Sequence, residues 1–104
     1  MVNAPIQLYT PGEVARLLAA RIRAERLRQG WKQETLAKRS GVSLPTIRRY
    51  ERTGQTSVEN LLRLCYALGR IAELAEVLQP PPASSITELE SRVTDFQGRK
   101  RGMR

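Results

Sequence analysis

The sequence predicts an all-α domain of five helices followed by an extended C-terminal arm. Apolar residues recur at helical spacing in five stretches, and capping residues and glycines separate these stretches. No stretch has the alternating pattern of a β-strand, and none has a glycine-rich phosphate loop. Three prolines at residues 80–82 then form a stiff, extended spacer. We therefore assign residues 10–79 to a helical domain and residues 80–104 to the proline-rich spacer and a basic arm.

The first predicted helix begins at a threonine cap, Thr10, with Pro11 in its first turn and Glu13 placed to complete a capping box. Apolar side chains then recur at roughly helical spacing, with arginines between them, until Gly30 supplies a stop. This helix is therefore amphipathic and basic. Its apolar positions are Val14, Leu17, Leu18, Ile22 and Leu27.

Two short helices and a tight glycine turn come next. The second helix fits "KQETLAKRSG", and Gly41 is available for the left-handed turn that ends it. Ser43 caps the third helix, "LPTIRRYER", so Pro45 falls in the first turn, where its missing N–H costs no helical hydrogen bond. Residues 33–52 thus fit a helix-turn-helix unit. Its predicted buried side consists of Leu36, Val42, Ile47 and Tyr50.

Two more helices complete the predicted domain. "TSVENLLRLCYALG" fits a fourth helix, capped near Thr56 or Ser57 and stopped at Gly69, and "RIAELAEVL" fits a fifth. Beyond the prolines, a narrow apolar stripe at helical spacing predicts a further short element that ends in the basic tip "GRKRGMR". The stripe consists of Ile86, Leu89, Val93 and Phe96.

The composition indicates a partner with negative charge and argues against an enzyme. Of the net charge of +8, residues 1–54 carry +7, residues 55–82 carry −1 and residues 83–104 carry +2. Such a surface attracts nucleic acid, anionic lipid or acidic protein. The chain has no histidine and one cysteine, so we expect no zinc site, no histidine-based catalysis, no disulfide and no cofactor. No run is apolar enough to span a membrane and no signal peptide is recognisable, so the expected location is the cytoplasm.

The third helix has an outer side suited to a DNA major groove when Ile47 and Tyr50 face the core. Arginine donates two hydrogen bonds to guanine O6 and N7, and apolar side chains contact the thymine methyl. The base-reading candidates are Leu44, Pro45, Arg48 and Arg49. Donors and positive charges suited to phosphate lie around them, namely Gln33, Thr46, Lys32, Lys38 and Arg52. The sequence therefore predicts specific binding to double-stranded DNA.

The segment "RIRAERLRQGWKQETLAKRSGVSLPTIRRYERTG", followed by "ENLLRLCYALG", resembles the Xre/Cro-like repressor family over roughly residues 12–78. The resemblance implies a lambda repressor-like fold in which Gln33 and Ser43 contact phosphate, while Leu44, Pro45 and Arg49 lie nearest the bases. It also implies a buried salt bridge between Arg26 and Glu51. The alternative for Glu51 is an exposed pair with Arg48, one helical turn away. After Glu51 the chain departs from the family pattern, because its loop is one residue shorter.

The flanks "LYTPGEVARLL", "GWKQ" and "LLRLCYALGR", with the proline run after "EVLQ", resemble HipB-type antitoxins encoded beside HipA-type kinases. This narrower resemblance implies a dimer that represses its own operon and associates with a serine/threonine kinase toxin. It also implies a bacterial cytoplasmic protein that joins the nucleoid by binding DNA. The alternatives are a free-standing cellular or phage repressor and, in another class, an interaction module that binds no DNA.

A homodimer on a palindromic operator is expected to place two recognition helices about 34 Å apart. We expect the fifth helix to form the dimer contact, through Ile71, Leu74, Ala75 and Leu78. The basic tip has three open roles: a solvated tail, an arm that contacts DNA, or a segment that binds a toxin.

Overall fold

A computed structural model describes residues 9–82 together with Glu90 and Val93. Residues 9–82 contain five helices and no strand: α1 (Pro11–Arg28), α2 (Gln33–Ser40), α3 (Leu44–Thr53), α4 (Val58–Ala67) and α5 (Ile71–Ala75). The predicted all-α, five-helix fold is confirmed. Helix α3 packs against α1 and α2, α2 also packs against α4, and α4 packs against α5. No helix in the described residues is long and apolar enough to cross a membrane.

Local hydrogen bonds fix where the helices begin. At the start of α1 the Thr10 hydroxyl accepts from the Glu13 N–H (3.1 Å), and the Glu13 carboxylate accepts from the Thr10 N–H (2.9 Å), forming the predicted capping box. Ser43 caps α3, and Ser57 caps α4 by accepting from the Asn60 N–H at 3.1 Å. Each bond satisfies a backbone donor that has no partner inside its own helix.

The core brings one apolar face from each of the first four helices together. Its nine buried apolar residues are Ala19, Ile22, Leu36, Val42, Ile47, Tyr50, Leu64, Cys65 and Leu68. Burial raises the pKa of Tyr50 to about 12 and also raises the pKa of the Cys65 thiol. Cys65 is therefore a protonated core residue at neutral pH.

The fifth helix is shorter than "RIAELAEVL" predicts. It ends at Ala75, and Leu78 has a φ of 63° with 95% of its surface exposed. Of the residues in the predicted fifth helix, Ile71 and Leu74 alone pack against the core. The residues after Ala75 therefore gain too little burial to offset the cost of ordering another helical turn. Of the apolar stripe predicted in the arm, Val93 is helical and half-exposed, while Ile86, Leu89 and Phe96 lie outside the described residues, as does "GRKRGMR".

Candidate nucleic-acid interface

A short turn, residues 41–43, joins α2 to α3. Gly41 ends α2 with a φ of 77°, and its N–H donates to the Ala37 carbonyl at 3.0 Å. The Ser40 hydroxyl accepts from the Val42 N–H at 3.1 Å, which gives this partly buried polar side chain a partner. Val42 then enters the core at 3% exposure. The turn is thus held by a glycine, a serine and one buried valine.

The first turn of α3 carries two hydroxyls that bond to each other. The Ser43 Oγ accepts from the Thr46 N–H at 3.3 Å and donates to the Thr46 Oγ1 at 2.7 Å. This bond uses one of the two hydroxyl hydrogens of the Ser43–Thr46 pair, and the other is available to an outside oxygen. Pro45 is exposed beside them, and Leu44 is half-buried.

The outer side of α3 is basic and exposed. Ile47 and Tyr50 are 0% and 2% exposed, and this fixed inner side leaves Arg48, Arg49 and Arg52 exposed on the rest of the helix. Arg48 makes no ion pair or hydrogen bond within residues 9–82, whereas Arg49 Nη2 donates to the Gln55 Oε1 at 3.2 Å. Three arginine side chains thus face solvent along one helix of ten residues.

A buried bidentate salt bridge attaches α3 to α1. Arg26 Nε donates to the Glu51 Oε2 at 2.8 Å and Nη2 donates to Oε1 at 2.9 Å, with side chains only 7% and 5% exposed. Arg26 Nη1 also donates to the Trp31 carbonyl at 2.8 Å. Each of the three guanidinium nitrogens of Arg26 thus has a partner, and the paired charges make this an anchor for the C-terminal end of α3. Glu51 is therefore not an exposed partner of Arg48.

Gln33 belongs to the same cluster. The sequence indicated only a phosphate contact for this side chain and gave no sign of its bond to Glu51. Its Nε2 donates to the Glu51 Oε1 at 2.9 Å, so one of its two amide hydrogens is used inside the protein. The other amide hydrogen remains for an outside acceptor. Gln33 is half-buried at the first residue of α2, beside the exposed Lys32, whose side chain makes no cap bond. A lysine side chain has no acceptor, so the cap residue of α2 leaves the N–H groups of the first turn without a side-chain partner.

The remaining charges of α2 differ in their surroundings. Lys38 is exposed and has no ion pair within residues 9–82, whereas the Arg39 guanidinium lies 4.6 Å from the centre of the Trp31 ring. Trp31 itself packs partly against the core. Lys38 is therefore the freer of the two cations for an external anion.

A family model described as Helix-turn-helix matches residues 22–74, which is more than half of the 104-residue chain. The chain belongs to the Xre/Cro-like helix-turn-helix family. It is a DNA-binding transcriptional regulator, and α2 and α3 are the two helices of its motif. No curated protein and no solved structure matches the chain. No group of potential metal ligands lies together in residues 9–82 of the regulator.

A second ionic cluster of the regulator fastens α1 to the α4–α5 connection, and no sequence pattern indicated it. Glu25 is 8% exposed and accepts hydrogen bonds from Arg28, from Gln29 at 2.8 Å and from Arg70 at 2.9 Å. Gln29 also donates to the Leu68 carbonyl at 2.9 Å. Arg70 also donates hydrogen bonds to the Glu73 carboxylate. The hydrogen bonds to Glu73 raise the pKa of the Arg70 guanidinium, and the nearby Glu25 carboxylate raises it further.

This cluster makes the stability of the regulator sensitive to acid. Hydrogen bonds from Arg28 and Gln29 lower the pKa of Glu25 from an ordinary 4.5 to about 2. The folded protein therefore binds this proton less readily than the unfolded chain, so the stabilisation is present above about pH 4.5 and is lost as pH falls towards 2.

Glu25→Gln is expected to unfold at a lower temperature than the wild type at pH 6 and to lose less stability between pH 5 and pH 3. Thermal unfolding at both pH values measures this, with Glu59→Gln, at an exposed pair, as the control. Equal acid dependence in wild type and Glu25→Gln would contradict it.

The four residues predicted at the dimer contact do not share one free surface. Ile71 and Leu74 are partly buried against the regulator's own core, while Ala75 and Leu78 are exposed. The early end of α5 separates Leu78 from the helical face that the sequence pattern assigned to it. The fully accessible part of the predicted contact is therefore its C-terminal end.

Proposed function

We propose that the regulator inserts α3 into the DNA major groove and reads base edges with Leu44, Pro45, Arg48 and Arg49. One observation supports this proposal most directly: α3 exposes its arginine side to solvent, while the buried Arg26–Glu51 pair fixes the helix to α1. A reading helix needs both features, since bidentate contacts require side chains that are free and a backbone that is fixed. One such arginine contact is expected to contribute about 1–3 kcal/mol of discrimination against a wrong base pair.

Phosphate contacts around the reading helix are expected to fix its register on the duplex. The free amide hydrogen of Gln33 and the unused hydroxyl hydrogen of the Ser43–Thr46 pair support two of these contacts. The positive charges of Lys32, Lys38 and Arg52 add attraction that does not depend on sequence. Ser43 and Thr46 share a hydrogen bond between their hydroxyls, and we propose that the pair contacts one phosphate together. In this proposal residues 10–79 form the DNA-binding domain, and residues 80–104 form a separate arm.

The phosphate contacts have a measurable signature in the salt dependence of binding. Replacing Lys38 with alanine is expected to weaken binding to the DNA upstream of the regulator's own gene and to scrambled DNA by the same factor. The slope of log K against log salt is expected to fall by about one, because the variant neutralises one phosphate fewer. Fluorescence anisotropy over a salt series measures both quantities, with Arg63→Ala on α4, whose guanidinium pairs with Glu59, as the control. A change in the preference between the two DNAs would instead make Lys38 a base-reading residue.

The regulator is proposed to act as a dimer on a palindromic operator. Two reading helices about 34 Å apart would double the specific contacts available to one short α3. We place the contact at the end of α5, where Ala75 and Leu78 are exposed, while Ile71 and Leu74 are partly buried against the core. Analytical ultracentrifugation is expected to show a dimer that Leu78→Asp weakens. A monomer at high concentration, with and without DNA, would overturn this assembly.

The biological role that we propose is autorepression by the antitoxin of a HipA-like kinase. Its support is the resemblance of the flanking segments, including "LYTPGEVARLL" and the proline run after "EVLQ". The alternative of a free-standing repressor draws on one structural observation: Thr10 and Glu13 in the first flank already have a role as the cap of α1. Co-expression with the neighbouring reading frame separates the two roles, because an antitoxin is expected to co-purify with a kinase and to relieve its toxicity.

A further inference from the structure

The two neighbouring arginines on the outer side of α3 differ in one respect. Arg48 makes no hydrogen bond or ion pair within residues 9–82. Arg49 Nη2 donates to the Gln55 Oε1 at 3.2 Å, across the loop between α3 and α4. Both arginines and Gln55 are exposed, so this bond lies on the surface where DNA would bind. The loop thus supplies a partner to one arginine of the pair and none to the other.

The backbone of Gln55 is itself fixed to Arg49 through Thr53. The Thr53 hydroxyl donates to the Arg49 carbonyl at 2.8 Å and accepts from the Gln55 N–H at 3.1 Å. Between them, the Gly54 N–H donates to the Tyr50 carbonyl at 2.7 Å, and Gly54 is buried against the backbone of α1. These bonds hold the backbone of Gln55 close to Arg49, and from there the Gln55 side chain reaches the Arg49 guanidinium.

We infer that Gln55 is a positioning residue that orients the Arg49 guanidinium for base reading. The inference rests on the proposed role of Arg49 in the major groove. The bond to Gln55 uses one of the five guanidinium N–H groups, so a pair of donors remains for guanine O6 and N7. A side chain already restrained before binding loses less conformational freedom when it meets the base. Arg49 is therefore expected to discriminate more strongly than an unrestrained arginine at its position would.

A double-mutant cycle on the full chain tests this inference. The quantity measured is the ratio of dissociation constants for scrambled DNA and for the DNA upstream of the regulator's own gene, at one salt concentration. Gln55→Ala is expected to lower this ratio about three- to tenfold in the wild-type background, the effect of one modest hydrogen bond. In the Arg49→Ala background it is expected to cause no further loss, because no guanidinium remains to orient. In the matched Arg48→Ala background the loss is expected to return in full.

Gln55→Glu adds a readout that a general effect on folding would not produce. The glutamate retains an acceptor for Arg49 but adds a negative charge, so affinity is expected to fall for both DNAs while their ratio stays near the wild-type value. Equal effects of Gln55→Ala with and without Arg49 would overturn the positioning role alone. An unchanged ratio in Arg49→Ala itself would overturn the base-reading role of Arg49 and the inference together. Circular dichroism at the assay temperature checks that the variants are folded.

Discussion

Replacing Arg26 with alanine is expected to lower the free energy of unfolding by about 3 kcal/mol, within the range of about 3–5 kcal/mol for breaking a buried ion pair. The Glu51 side chain is only 5% exposed in the folded protein, and the variant leaves its carboxylate with one neutral donor, Gln33 Nε2. Arg23 approaches Glu51 at only 3.9 Å and is 58% exposed, so it compensates for a part of the lost interaction and keeps the loss at the lower end. Urea unfolding at pH 7 measures the change.

Two comparison variants make the result for Arg26 specific. Arg16→Ala removes an exposed arginine of the same helix and is expected to change stability by less than about 0.5 kcal/mol. The double variant Arg26→Met/Glu51→Leu removes both charges together and is expected to be more stable than Arg26→Ala alone, because no unpaired buried charge remains. A loss below about 1 kcal/mol in Arg26→Ala, similar to the loss in Arg16→Ala, would mean that the pair does not anchor α3.

Replacing Gly54 with alanine is expected to destabilise the fold by about 2–5 kcal/mol for two separate reasons. Gly54 ends α3 with a φ of 81°, which is unfavourable for any residue with a Cβ. The added Cβ would also lie 3.1 Å from the backbone of Ala15 and Arg16 in α1, which has no room to yield without moving the helix. Gly54 thus lets the end of α3 approach α1 closely.

Gly41 provides a matched control for Gly54. It has nearly the same φ, 77°, but nothing lies within 4 Å of a Cβ built there. Gly41→Ala is therefore expected to cost about 1–2 kcal/mol, the conformational part alone. The difference between the two variants in urea unfolding measures the steric part. Equal losses at the two sites would show that α1 and the α3–α4 loop are not in close contact.

The start of each main helix follows from residues near one another in sequence, which is why the sequence predicts the starts well. The capping box of Thr10 and Glu13 and the serine cap at Ser43 need only local geometry. The extent of α5 depends on tertiary burial instead. A periodic pattern of apolar residues predicts a helical face, but Val77 and Leu78 have no core to pack against, and the helix ends before them.

The interface itself shows the same division between local pattern and tertiary contact. The outer side of α3 follows from helical spacing, because Ile47 and Tyr50 fix its inner side. The bond of Gln33 to Glu51 joins residues 18 positions apart, and the bond of Arg70 to Glu25 joins residues 45 positions apart. Neither spacing repeats as a pattern in the sequence. The bond of Arg49 to Gln55 was likewise not predicted, since it depends on the path of the loop between α3 and α4.

The most direct test of base reading by α3 is to measure binding of the full chain to the DNA upstream of its own gene and to scrambled DNA. The measurement is made with and without Arg48→Ala/Arg49→Ala. The control is Arg16→Ala/Arg21→Ala, which removes the same charge from exposed positions of α1. The wild type and the control are expected to prefer the upstream DNA by about 10³-fold or more, and the α3 variant is expected to lose most of this preference. Equal and weak binding to both DNAs, unchanged by the α3 substitutions, would contradict a reading role for α3 and would favour a protein partner.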